Sequence, residues 1–289
     1  AIDELNTGDL LLVAGKGHEK IQDYGKNKLF FSDKKVILDS ISSKNKYLSK
    51  NFKLNIINEQ SQSKLSNKLI IKNISINSKI IKRNDVFFAI KGQKIDGNKF
   101  TPEALKNKCS LAIVNKVNKK LTLSKQIKVK DTLSFLTKCS SIFRENINAK
   151  IISITGSCGK TTLKEMIGLT LKKISRATYS PKSFNNKYGV PLSLLKLKQN
   201  DNFGVFEVGM DKRGEIDKLT KIIRPDVGVI TNISYAHSKN FKNISQIAEA
   251  KAEIMKNIKK NGTIILNRDD NFFNYHKNLA LKKKIKSYF

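Results

Sequence analysis

The segment Ile151-Ile152-Ser153-Ile154 runs into Thr155-Gly156-Ser157-Cys158-Gly159-Lys160-Thr161-Thr162, and Leu163, Met166, Ile167, Thr170, Leu171 and Ile174 then recur at helical spacing. A buried strand, a tight glycine loop and an amphipathic helix in that order make a phosphate cradle. Glycines let the backbone approach the phosphate oxygens, and N–H groups at the positive end of the helix dipole point at them. Lys160 bridges the β- and γ-phosphates, and the Thr161 hydroxyl reaches Mg²⁺. The spacing departs from the common G-x-x-x-x-G-K-[ST], since only two residues separate the glycines. The bland alternative is a helix start with a chance Gly-Lys-Thr.

Three further residues have chemistry to explain. Glu207 interrupts the apolar run Val205-Phe206-Glu207-Val208, where an unpaired carboxylate is costly and a Mg²⁺ partner accounts for it. His237 follows another apolar run, 227–233; it is either a surface histidine or a ligand. Lys251 is the most informative. At about 100° per residue, Ile247, Ala248, Ile254, Met255 and Ile258 form one stripe with Lys251 inside it, while Glu249, Glu253, Lys256 and Lys260 fall opposite. Either this ammonium snorkels past Ile247 to solvent, or it points inward with a depressed pKa and serves the site. Asn185-Asn186 read as a turn into a helix that starts at or just after Pro191.

The elements needed to bring these residues together are strands and helices in alternation. From 150 onward the order strand, glycine loop, helix, strand, helix, strand implies a mainly parallel sheet covered by helices. The carboxyl ends of its strands converge on one crevice, where Glu207, His237 and the 156–162 loop can meet. Residues 68–118 alternate short apolar runs with one helix-like segment near 101–108, a small α/β domain. The fold class is thus α/β, a small domain before a phosphate-loop domain. Further upstream, Gly8 to Ala14 read as a turn and a short buried strand, then comes the loop Gly15-Lys16-Gly17-His18-Glu19, and 32–42 read as a capped closing helix. The Ser/Lys/Asn/Gln-rich stretch 43–66 reads as a solvated connector with weak structure at most. The expected division is 1–42, a connector 43–66, a small domain 67–145 and a larger one 146–289.

Composition sets the outer limits. The 289 residues are 39% hydrophobic and 28% charged, enough for a sizeable core. No segment has the length and apolarity of a membrane span, and no secretory leader is visible, so a cytosolic protein is expected. Cys109, Cys139 and Cys158 have neither disulfide-framework nor zinc-ribbon spacing. A net charge of +32 raises nucleic acid as a partner. Against it, only six of the 56 basic residues are Arg, and the lysines are scattered along the chain instead of forming a stripe.

Taken together, TGSCGKTT (155–162), SFNNKYGVPLSLL (183–195), FEVGM with GEI (206–216), RPDVGVITNIS-AH (224–237), AEAKAEI (248–254) and LNRDD (266–270) resemble the Mur ligases of peptidoglycan synthesis. They are most similar to the type that joins D-alanyl-D-alanine to UDP-N-acetylmuramoyl-tripeptide. NSKIIKRNDVFFAIKGQKIDGNKF (77–100) is similar to the UDP-substrate domain of that type. GDLLLVAGKGHEKIQ (8–22) with SDK (32–34) resembles the C-terminal tail of the ligase type that adds the preceding diamino acid. By this resemblance the chain is expected to be a piece of a fusion, with the third, closing domain of the family lying beyond Phe289.

The resemblance implies an ATP- and Mg²⁺-dependent amide ligase working through an acyl phosphate. It implies that residues 156–162 bind ATP and that Thr161, Glu207 and His237 hold metal. Lys251 matches a lysine carbamylated in most of these enzymes, whose carbamate helps hold a second Mg²⁺. Lys160, Lys251 and His237 are the implied catalytic residues. Asn185, Asn186 and Ser78 are implied substrate contacts, and Gly15 and Glu19 match diamino-acid contacts of the preceding ligase. Cys158, Lys79, Asn98 and Ser238-Lys239 depart from the family's usual residues. A ligase of the diamino-acid-adding or folylpolyglutamate type and a basic nucleic-acid-binding NTPase are the competing readings, and the 289 residues by themselves are expected to bind nucleotide and UDP substrate without turnover.

Overall fold

The computed structural model describes residues 2, 5, 9–15, 19–25, 27–48, 52–63, 65–66, 69–92, 94–235 and 240–289. At the N-terminal end, β1 (Ile21–Asp23) and β2 (Lys28–Phe30) form a two-stranded antiparallel sheet. The turn between them carries Gly25 at φ +79°, a left-handed conformation that suits glycine. Residues 9–14, expected to be a buried strand, are neither: they pair with no described strand, and Leu10 and Leu12 are almost fully exposed. A strand needs a ladder neighbour, and β1 and β2 use each other.

The expected closing helix exists as α1 (Asp33–Leu48), with the Ser32 hydroxyl accepting from the Lys35 N–H, and it runs well past residue 42. The stretch expected to be a connector instead contains α2 (Phe52–Ser61). Phe52, Leu54, Ile56 and Ile57 of α2 are all buried, and Phe52 stacks on Phe143 at 5.2 Å. These apolar positions follow no single helical stripe, because α2 is covered on more than one side. The polar composition of 43–66 hid it.

A first parallel sheet has the order β3-β4-β5-β6: β3 (Ile74–Ser75), β4 (Val86–Phe88), β5 (Leu111–Val114) and β6 (Gln126–Lys128). Every residue of β4 and β5 is buried, the unbroken apolar run typical of a parallel sheet covered on both faces. With it go α3 (Thr101–Lys106) and α4 (Thr132–Glu145). α4 is capped by Asp131, which accepts the Ser134 N–H at 2.6 Å.

The second sheet is six-stranded and parallel throughout, in the order β12-β11-β10-β7-β9-β8. In chain order its elements are β7 (Lys150–Thr155), α5 (Lys160–Ile174), β8 (Ala177–Tyr179), α6 (Gly189–Leu194), β9 (Phe203–Glu207), α7 (Glu215–Ile223), β10 (Val227–Ile230), α8 (Ile244–Ala252), β11 (Thr263–Leu266), α9 (Phe273–Lys282) and β12 (Lys286–Tyr288). The chain leaves β7 toward β8 on one side and leaves β10 toward β11 on the other. The strand order therefore reverses beside β7, the place where such sheets open a crevice at their carboxyl ends. Register fixes what meets there: Ile154 lies beside Glu207, and Thr155 beside Ile230.

Arg144 near the end of α4 joins the two sheets. It is almost fully buried, donates to the carbonyls of Ile223, Arg224 and Ile147, and pairs with Asp226 at 3.2 Å. Ile223 and Arg224 end α7, so the guanidinium sits at the negative end of that helix. Asp226 in turn accepts the Ile151 N–H at 2.8 Å, at the start of the strand that feeds the phosphate loop.

Candidate functional site

The loop after β7 is held from both sides. Gly156 has φ +145°, and a Cβ there would run into the Thr231 hydroxyl, so only glycine fits. Past β10, the Asn232 carbonyl accepts the Ser157 N–H and the Asn232 side-chain oxygen accepts the Cys158 N–H, each at 2.9 Å. Thr231 donates its hydroxyl to the Cys158 carbonyl at 2.6 Å, and Ser157 donates its own to the Ser234 carbonyl. Asp270 braces this second loop by accepting the Ile233 N–H at 2.6 Å. Gly159, also left-handed at φ +77°, is the N-cap of α5, and no side chain caps that helix. Its first N–H groups thus face the crevice, as an anion requires.

Lys160 folds back over the loop and donates to the carbonyls of Gly156 and Ser157 at 2.8 and 3.0 Å. Thr161 donates its hydroxyl to one oxygen of Glu207 at 2.7 Å, and Asn185 donates its amide to the other at 2.7 Å. Glu207 is buried at the end of β9, and these two hydrogen bonds compensate its carboxylate. Lys251 is also buried, only 2% exposed, and donates to the Gly156 carbonyl at 2.8 Å. Burial, and after it the neighbouring Lys160 ammonium, lowers the Lys251 pKa to about 7. Asn186 accepts the N–H groups of Tyr188 and Gly189 at 3.0 Å in the turn that leads into α6, which opens two residues before Pro191 instead of at it.

Gly156, Lys160, Asn185, Asn186, Lys187 and Lys251, among others, line a cavity of about 510 Å³; Thr161 and Glu207 are not among its lining residues and connect to it through Asn185, which bonds Glu207. Gly15, Glu19 and Ser78 do not line it. Gly15 and Glu19 lie in the N-terminal segment, where a Cβ on Gly15 would collide with the Asp33 carboxylate. Ser78 starts a short 3₁₀ turn beside the first sheet, its hydroxyl bonded to Glu103. Thr162 is exposed on the first turn of α5. His237 lies outside the described residues.

Two further expectations change. Glu253, placed opposite Lys251 by a continuous helical count, is buried: α8 ends at Ala252, and 253–256 continue as a 3₁₀ turn. The tighter turn swings Glu253 inward, where it accepts the Gly214 and Asp217 N–H groups at 2.7 and 3.2 Å and anchors the start of α7. On α5, Leu163, Ile167 and Leu171 pack against Ile154, Val205 and Val229 of the sheet as the spacing predicts, whereas Met166, Thr170 and Ile174 are exposed and Lys164 and Gly168 are buried. Thr231, Asn232 and Asp270, which shape the phosphate loop, carried only a faint signal as polar residues at strand ends.

The donor set suits Mg²⁺. Among the described residues no group of three or more His, Cys, Asp or Glu side chains is placed to hold a metal alone. One carboxylate with a threonine hydroxyl beside a phosphate cradle is the pattern by which Mg²⁺ is shared between protein and nucleotide phosphates.

A parallel sheet whose first strand feeds a glycine loop, a lysine folded over that loop and an uncapped helix start define a phosphate-loop α/β protein. The family description "Mur ligase family, catalytic domain" matches residues 70–144, and "Mur ligase middle domain" matches residues 154–289. The chain belongs to the Mur ligase family. Among curated relatives, the UDP-N-acetylmuramoyl-tripeptide--D-alanyl-D-alanine ligase of Buchnera aphidicola subsp. Acyrthosiphon pisum is 39% identical over 209 residues, 72% of this chain and 46% of that protein. The ligase of the same name from Escherichia coli is 32% identical over 187 residues, 64% of this chain and 41% of that one. Among solved structures, MurF from Acinetobacter baumannii superposes with a TM-score of 0.72 at 32% identity, over 80% of this chain and 51% of that one. MurF from Thermotoga maritima in complex with ADP gives 0.66 at 29% identity, over 78% and 51%. The chain spans about half the length of the curated relatives it matches. Among the described residues no helix is long and apolar enough to cross a membrane.

Proposed function

We propose that this chain carries the ATP-binding part of a cytoplasmic ligase that joins D-alanyl-D-alanine to UDP-N-acetylmuramoyl-tripeptide. The observation that carries the reading is the convergence of Lys160, Thr161, Glu207 and Lys251 on one glycine loop. The names of the relatives supply the substrate pair, and the ADP complex of the Thermotoga maritima protein supports a nucleotide in the cleft.

Bound Mg-ATP supplies the phosphoryl group that converts an unreactive carboxylate into an acyl phosphate open to attack by an amine. The residues of this chain position and neutralise. The uncapped start of α5 holds phosphate oxygens through backbone N–H groups. Lys160 is within reach to exchange its two loop carbonyls for phosphate, countering the charge spread in the transition state. Thr161 and Glu207 would hold the metal, and Asn185 keeps the Glu207 carboxylate in orientation. Lys251, with its pKa near neutrality, has the free amine that CO₂ needs to form a carbamate, which would turn a buried cation beside Lys160 into an anion. Asn186, Lys187 and Tyr188 border the remainder of the cavity, toward the acyl substrate.

Titration calorimetry with Mg-ATP tests this. The wild-type chain is expected to bind, and Lys160→Ala to lose about two orders of magnitude in affinity, the scale of removing a charged phosphate contact from a preorganised site. Equal affinities in the two proteins would refute the assignment.

A further inference from the structure

One turn beyond Lys160 and Thr161, Lys164 on α5 is fully buried. An enclosed ammonium loses its hydration and must be compensated. Lys164 has two partners: it donates to the backbone carbonyl of Lys182 at 2.6 Å and lies 2.9 Å from the carboxylate of Glu165. Lys182 itself is left-handed at φ +47°, a conformation that side-chain-bearing residues adopt at a cost. Gly168, one further turn along, permits the approach. A Cβ there would collide with the Tyr179 ring on β8, so α5 lies this close to the strand only with glycine at that position.

The segment that Lys164 grips leads directly to the metal side of the site. Three residues after Lys182, Asn185 donates its amide to Glu207, and its carbonyl accepts the Gly209 N–H at 2.8 Å. Glu207 is bonded in turn to Thr161, back on α5. The contacts close a ring from Lys164 through 182–185 to Glu207 and Thr161, with both ends on adjacent turns of one helix.

We propose that Lys164 is a positioning residue that fixes the 182–186 segment so that Asn185 aims the Glu207 carboxylate at the metal. This rests on the Mg-nucleotide reading above. Lys164 is fully enclosed and does not line the cavity, so its loss weakens the metal-dependent part of binding and spares the rest.

The test is calorimetric titration of ADP into the wild-type chain and K164M, once with Mg²⁺ and once with EDTA. Affinity in EDTA is expected to match wild type, while affinity with Mg²⁺ falls about tenfold, as when a residue behind a metal ligand is removed. K164R is expected to restore most of the loss. In an N185A background K164M is expected to add nothing, because the effect passes through Asn185. K164Q, which keeps a donor on a shorter stem, is measured alongside, so that an unfolded K164M leaves the comparison intact. Wild-type affinity with Mg²⁺, equal losses with and without Mg²⁺, or full additivity with N185A would overturn the proposal. A wild-type chain that binds no ADP under either condition would overturn the Mg-nucleotide reading itself, and this inference with it.

Discussion

Lys251 shares the Gly156 carbonyl with Lys160, so two amines compete for one acceptor in a buried place. The sign of its effect on stability follows from its depressed pKa. Between about pH 7 and the usual lysine range near 10.4 the unfolded chain holds a proton on this group that the folded chain does not, so stability rises with pH there. Below about pH 7 both states are protonated and the burial cost is fully present. In CO₂-free buffer the wild-type melting temperature is therefore expected to rise from pH 6.5 to 8.5 relative to Lys251→Met; a parallel pH response of the two proteins would show that Lys251 is not buried as a strained cation. With ¹³C-bicarbonate, the wild type is expected to give a carbamate resonance that strengthens over the same interval and is missing from Lys251→Met. Glu207 and Lys251 were legible in the sequence because each sits at an apolar position that its charge contradicts. Thr231 and Asn232 were not, because a polar residue after a strand is common, and only tertiary register brings these two against the Ser157–Cys158 turn.

Helices and strands show where pattern stops being enough. The flanks of the phosphate loop were legible because β7, a glycine loop and α5 are local in sequence. The inward turn of Glu253 was not, since it depends on α8 tightening into a 3₁₀ turn after Ala252. That turn leaves a buried carboxylate as the anchor of α7, whose own N-cap, Gly214, has no side chain to offer. Glu253→Ala is expected to lower the unfolding free energy by about 1–3 kcal/mol, the cost of stranding a buried charged hydrogen-bond set. Urea unfolding followed by circular dichroism checks it, and a change within about 0.5 kcal/mol, typical of a surface substitution, would contradict the capping role. α2 escaped notice for a different reason: it packs against α1 and α4, its buried residues Phe52, Leu54, Ile56 and Ile57 follow no single stripe, and its Asn, Gln and Ser residues imitate a linker.

Across the described residues, one apolar core runs through both parallel sheets, and a buried guanidinium ties them by hydrogen bonds. Arg144 reaches from α4 to the end of α7 and to Asp226, and Asp226 reaches the first residues of β7. The start of the strand that feeds the phosphate loop is thus fixed to the helix that closes the smaller sheet. The net charge of +32 contributes attraction for any anion but selects none, and selection falls to the geometry at the strand tips. That geometry brings together β7, β9, the loop after β10 and α8, four places far apart in the chain, and it is the claim on which the ligase reading stands. Crystals of this chain grown with Mn²⁺ and a non-hydrolysable ATP analogue, measured at the manganese absorption edge, test it most directly. The expected result is an anomalous peak beside Thr161 and Glu207, with phosphate density over the N–H groups that open α5. Nucleotide and manganese located away from that loop, with Thr161 still bonded to Glu207, would contradict it.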